Sequence, residues 1–207
     1  MAKKLQRDTR EALLDAAEAL FAAEGVEGVS LAAITQLAEQ RNGGAIHYYF
    51  GGRDGLLAAI LDRHEEALDE VRADALIQAR AAGPMTLESL VRVGVESLAS
   101  RLDSDSGRSF LLIQRDRLDR FAGEWAFRST TMRLIVAEIQ LILADSRLSD
   151  EEFTERRRLA IQLVIHRLAD RSREETLGVD LPRTVVIETL VSAVTSILSG
   201  GLSEPST

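Results

Sequence analysis

Helical periodicity runs through this chain almost without interruption, and no stretch sustains the alternation of apolar and polar residues that a half-buried strand needs. Only three prolines occur in 207 residues, so few positions forbid a helix. From Thr9 to Glu24 the apolar residues Leu13, Ala17, Leu20 and Phe21 fall on one stripe, and Gly25 and Gly28 stop that helix. Ser30 can cap a short second helix, LAAITQLA, with Leu31, Ile34 and Leu37 or Ala38 facing inward. After the turn EQR, Asn42 is the expected N-cap of a third short helix through Phe50. Asp54 then opens a long helix running to about Ala82, with Leu57, Ile60, Leu61, Leu68 and Val71 on one side.

Gly83-Pro84 is the strongest boundary, because a proline forces its predecessor out of helical geometry. Beyond it, with Thr86 as a cap, helices are expected at roughly 86–101, 109–120, 126–145, 150–173 and 182–199. Ser104 to Gly107 and Leu177 to Leu181 serve as connectors. Ser149 and Glu152 fit a capping box, and Pro182 stands at a helix start, where its missing N–H costs nothing. The expected fold is all-α, about nine helices in total. It divides into a three-helix helix-turn-helix domain (1–53), a long connecting helix (54–83) and a larger helical bundle domain (84–207).

Apolar residues make up 45% and charged residues 28%, which suits a folded chain with a core rather than a disordered one. No cysteine is present, which removes disulfides, thiolate metal sites and cysteine nucleophiles. The basic start, MAKKLQRDTREALLDAAEALF, is soon interrupted by acids and reads as a poor signal peptide. Glu138 and Glu188 break the two longest apolar runs, so no membrane span is expected and the location is read as cytoplasmic. A net charge of −8 argues against a generic nucleic-acid coat but leaves room for a local binding face. Residues 1–53 hold six basic groups (Lys3, Lys4, Arg7, Arg10, Arg41, Arg53) against seven acidic ones, a balance of −1.

Catalytic patterns are missing: no nucleophile elbow, no phosphate-binding glycine loop and no His-Glu-x-x-His. His47, His64 and His166 show no i,i+4 partner that would make a zinc pair, and His64 and His166 read as packed or capped. Neither an enzyme, a metal site nor a cofactor is expected. The last helix, VVIETLVSAVTSIL, is apolar around most of its circumference. It must lie centrally in its own domain or pack against a second copy.

Two short helices joined by a tight turn, the second opening with small residues, form a helix-turn-helix pattern. A recognition helix enters the major groove by its N-terminal end, where residues must be small or able to hydrogen-bond. Arg41-Asn42-Gly43-Gly44-Ala45 satisfies both conditions, and His47 and Tyr48 can donate to phosphate oxygens. The stretch TREALLDAAEALFAAEGVEGVSLAAITQLA, followed by AIHYYFGGRDGLLAAIL, resembles the N-terminal domain of the tetracycline-repressor (TetR) family over residues 9–62. The RN…AIHYYFGGRDGLL version further resembles a subgroup with a turn one residue longer.

That resemblance implies roles. Ser30 matches the hydroxyl that caps the second helix and touches phosphate. Asn42, Gly43, Gly44 and Ala45 match the recognition-helix start, with Arg41 just ahead of it. His47 and Tyr48 match positions that reach phosphate and groove wall, and Arg53 matches a phosphate clamp. Leu13, Ala17, Ile34 and Phe50 match the core, and Tyr49 should point toward the fourth helix. Two positions depart from the pattern: Glu39 stands where the subgroup has Gly, and Gly43 stands where a polar or basic side chain is common.

The resemblance implies a transcriptional regulator, a repressor, that binds a palindromic DNA operator as a homodimer and is released by an apolar small-molecule effector. Candidate effector-lining residues are Phe110, Ile113, Trp125, Phe127, Met132 and Ile135, which could equally be plain core. Candidate dimer contacts are Leu163 and Arg167 with Ile187, Leu190, Val191, Val194 and Ile197. The competing reading is a helical protein-interaction module that keeps the fold without specific DNA binding.

Overall fold

The computed structural model describes residues 2–120, 129–144, 146 and 148–200, without the side chains of 2–7 and 120. Among the described residues the chain forms nine α-helices and no strand: α1 (Ala2–Glu24), α2 (Leu31–Leu37), α3 (Ala45–Phe50), α4 (Arg53–Ala82), α5 (Leu87–Ala99), α6 (Asp105–Arg120), α7 (Thr130–Ile142), α8 (Asp150–Thr176) and α9 (Arg183–Ser199). A 3-10 turn, Ser100–Asp103, precedes α6. The all-α expectation is therefore met.

The chain divides into two compact units, Met1–Glu65 with Arg101–Ala122, and Glu66–Ser100 with Gly123–Thr207. The long helix α4 contributes to both. Its first turns complete the helix-turn-helix unit, and its remainder belongs to the second.

In the first unit α1 packs on α6 and α2, and α2 packs on α3. Leu13, Leu14, Ala17, Phe21, Ile34, Ile46, Leu56, Ile60 and Phe110 are all but fully buried, so Leu13, Ala17 and Phe21 of the α1 stripe are core, Leu14 joins them, and Leu20 is half-buried. Phe50 is only half-buried, and the Arg10 guanidinium lies 5.2 Å from its ring centroid. A cation over an aromatic face is attractive there. The loop after α1 is held by α6, with the Val26 amide donating to Asp116 Oδ2 at 3.2 Å.

In the second unit α9 packs against both α5 and α8, and α5 packs against α7. Leu190, Val191 and Val194 on α9 meet this core, as do Leu90, Val93 and Leu168. Local signals set the helix starts. Thr86 with Ser89 and Ser149 with Glu152 each form a reciprocal capping box. Ser104 Oγ accepts from the Gly107 amide at 3.0 Å, so α6 begins at Asp105 rather than near 109. The second unit is stitched by ion pairs: Arg92 on α5 donates to Glu188 on α9 at 2.5 Å, and Arg183 on α9 donates to Glu175 on α8 at 2.5 Å.

Candidate nucleic-acid interface

The candidate interface begins at Ser30, whose hydroxyl accepts from the Ala33 amide at 3.0 Å and caps α2. Ile34 and Thr35 bury one side of α2, leaving Gln36 and Leu37 outside. Leu37 is 53% exposed, so the inward partner of Ile34 is Ala38.

The turn after α2 takes its shape from Glu39, the one non-glycine residue with positive φ (54°) among the described residues. A side chain in the left-handed region crowds its own backbone by roughly 1–2 kcal/mol, a cost glycine escapes. Glu39 is thus the residue where a glycine would fit the backbone best.

The segment leading into α3 differs from the sequence reading. Asn42 does not stand next to the first residue of α3, and Gly43 and Gly44 precede the helix rather than lying inside it. They form a turn, with Gly44 as the N-cap residue at φ −86°. Asn42 closes this turn twice: its carbonyl accepts from the Ala45 amide at 3.1 Å, and its Oδ1 accepts from the Gly44 amide at 3.0 Å.

Six residues make up α3. Ala45 and Ile46 face inward, with Ala45 4% exposed, which corrects the placement of Ala45 on the reading face. The exposed side chains are His47 and Tyr48, with Tyr48 73% exposed. Tyr49 is half-buried and meets the Tyr48 ring edge-on at 4.9 Å. That packing holds Tyr48 outward. Gly51 ends the helix in the left-handed conformation (φ 75°), its amide donating to the His47 carbonyl at 3.0 Å.

Arg53, at the start of α4, is half-buried, and its Nη1 donates to the Val26 carbonyl in the loop after α1. The expected phosphate clamp is thus also an internal tether. Arg41, Asn42, Gly43, Gly44, His47 and Tyr48 are exposed, in two groups separated by the buried Ala45 and Ile46.

The sequence reading assigned His64 to packing but missed the buried polar cluster around it. Glu18 Oε2 accepts from Arg63 Nη2 at 2.5 Å and lies 3.0 Å from His64 Nε2. The His64 ring stacks on Phe110 at 4.5 Å, and Ser106 Oγ lies 3.5 Å from His64 Nε2. Burial pushes the Glu18 carboxyl upward, but hydrogen bonds from His64, Ser106 and Arg63 outweigh it and hold the group below its ordinary value. Glu18 stands on the buried face of α1 between Leu14 and Phe21.

The other expected residues are placed as follows. Phe110 and Ile113 are fully buried on α6 in the first unit, whereas Met132 and Ile135 lie on α7 in the second. Trp125 and Phe127 lie outside the described residues. Leu190, Val191 and Val194 are buried by the chain itself. Leu163 is exposed on α8, Arg167 donates to Glu174 at 2.9 Å, and Ile187 and Ile197 are half-buried.

The fold and this face define an all-α chain with an N-terminal helix-turn-helix unit. Residues 13–60 match the model of the bacterial regulatory proteins of the tetR family, a span from the α1 core stripe to Ile60 on α4. Among solved structures, the chain is similar to the probable transcriptional regulatory protein RHA5900, at 20% identity and a TM-score of 0.48, with 95% of this chain and 100% of that one covered. It is also similar to a mutant of HlyIIR carrying an alanine-substituted segment, at 15% identity and a TM-score of 0.46, over 92% of this chain and 98% of that one. No curated protein sequence matches the chain. Among the described residues no helix is long and apolar enough to cross a membrane.

Proposed function

We propose that the protein is a transcriptional regulator of the tetR type, acting on double-stranded DNA in the cytoplasm. The observation that carries this reading is the exposure of Arg41, Asn42, Gly43, Gly44, His47 and Tyr48 at the opening of the second short helix of a helix-turn-helix within the family-matching segment. Arg41 and Tyr48 stand at opposite ends of that set. A charged fork suits guanine edges or phosphate, and a tyrosine suits phosphate and groove wall. Ser30 and Arg53 lie at the two helix starts where backbone phosphate is met.

The regulator works as a homodimer that presents two copies of α3 to half-sites about 34–36 Å apart on a palindromic operator. With Leu190, Val191 and Val194 occupied internally, the second copy meets Leu163, Arg167, Ile187 and Ile197. Regulation is repression relieved by an apolar small molecule, for which Met132 and Ile135 on α7 are candidate contacts within the second unit. Such a molecule changes DNA affinity only through different affinity for the two protein states, typically ~1–3 kcal/mol of coupling.

Selection of bound fragments from genomic DNA with purified protein tests the reading. Enrichment of a shared inverted repeat is the expected result. Failure to retain any fragment preferentially at low salt rejects it, and leaves the helical interaction module.

A further inference from the structure

We infer that Asn42 is a positioning residue, which sets the entry into α3 through Gly44 and does not itself discriminate bases. This rests on the proposed DNA-binding function. The bidentate contact by which an asparagine selects adenine needs its carboxamide oxygen to accept from the base while its NH2 group donates. In this chain Oδ1 accepts from the Gly44 amide at 3.0 Å, and the carbonyl of the same residue accepts from the Ala45 amide at 3.1 Å. The side chain is folded back along its own turn rather than extended from it.

Gly44 completes the pair. Its φ of −86° is open to any residue, so backbone freedom is not why glycine stands there. A Cβ at Gly44 would lie 3.3 Å from Asn42 Oδ1, tighter than ordinary contact, so a side chain there presses on the carboxamide that holds the turn. At Gly43 a Cβ would meet nothing within 4 Å. The two adjacent glycines therefore differ: Gly44 makes room for the Asn42 oxygen, and Gly43 leaves bare backbone at the surface. Gly44 is the N-cap residue of α3 but offers no side-chain acceptor, so Asn42 supplies it from two residues back. His47 and Tyr48 then depend on Asn42 for their orientation.

The test compares wild type, Asn42→Ala and Asn42→Ser, since serine retains an acceptor able to reach the amide two residues on. Three quantities are read on the full-length protein: hydrogen exchange of the Gly44 amide, affinity for random DNA, and affinity for the selected operator and its single-base-pair variants. Asn42→Ala is expected to speed Gly44 exchange and weaken operator binding, each by roughly tenfold. Because His47 and Tyr48 face phosphate and groove wall, random DNA and every operator variant should weaken in the same proportion as the operator. Asn42→Ser restores both exchange and affinity. A loss confined to one base pair and shared by the Ser variant overturns the inference, as does Gly44 exchange that ignores Asn42→Ala. Should wild type show no sequence preference at all, the functional reading fails, while Gly44 exchange still decides whether Asn42 holds the turn.

Discussion

Glu18 Oε2 lies 3.0 Å from His64 Nε2, with both side chains buried, and the contact joins α1 to α4 across 46 residues of sequence. Arg63 donates to the same oxygen and also to Asp15, at 2.7 Å, so one acid on the inward face of α1 fixes the start of the long helix. Removing one partner of a buried ionic pair leaves the others uncompensated.

Glu18→Ala should therefore destabilise the protein by about 3 kcal/mol. Chemical denaturation would show it, and a loss within experimental error would contradict a structural role for the cluster.

The same cluster predicts an acid sensitivity. The folded-state pKa of Glu18 is lowered, so its stabilising contribution is full above the unfolded-state value, 4.5, and is lost as pH falls through the lower folded value. Stability measured from pH 6 down to about pH 3 should drop more steeply in wild type than in Glu18→Gln. Parallel curves would rule out Glu18 as a contributor.

At Glu39 the expectation has the opposite sign. Its φ of 54° strains any L side chain, so Glu39→Gly should leave stability unchanged or raise it by up to about 1 kcal/mol. Glu39→Val should lower it by about 1–2 kcal/mol, because a branched Cβ is worst placed in that region. Thermal melts of the pair decide the matter, and a valine variant as stable as the glycine variant would refute the strain.

Gly55 predicts a steric failure. A Cβ there would sit 1.7 Å from the Phe50 carbonyl oxygen, a backbone atom that cannot step aside. Gly55→Ala should cost about 2–3 kcal/mol and weaken DNA binding, since the step from α3 to α4 must open. Unchanged melting would show that the two helices do not approach so closely.

Arg53 separates tether from clamp. Its bond to the Val26 carbonyl predicts that Arg53→Ala loses about 1–2 kcal/mol of stability without any DNA present. Its place beside the candidate interface predicts a salt slope of DNA binding shallower by about one unit. A variant of full stability would mean the guanidinium serves DNA alone.

Signals carried by a few neighbouring residues were the legible part. Ser30, Thr86 and Ser149 cap helices as read, because a hydroxyl and an amide two or three residues away decide that geometry. The α1 stripe was legible for the same reason, since helical period alone sets which residues meet. The α3 start is ambiguous in sequence because Asn42 supplies the capping oxygen from two residues ahead of Gly44, and only the structure shows where the helix begins. Ala45 is ambiguous in sequence because smallness fits a groove and a helix contact equally well, and its burial decides for the latter. The Glu18 cluster is out of reach until α1, α4 and α6 are placed together, because the buried face that Glu18 interrupts runs through Leu14, outside the stripe read from the sequence.

The central claim is that the face from Arg41 to Tyr48 reads DNA, and equilibrium titration of the selected operator against a scrambled duplex of equal length tests it most directly. The account predicts that the operator is bound at least ~10³-fold more tightly at physiological salt, with affinity falling steeply as salt rises. It also predicts that Arg41→Ala narrows that gap, while Tyr48→Ala weakens binding to both duplexes alike, each variant melting like wild type. Equal affinity of the wild-type protein for the two duplexes would contradict it.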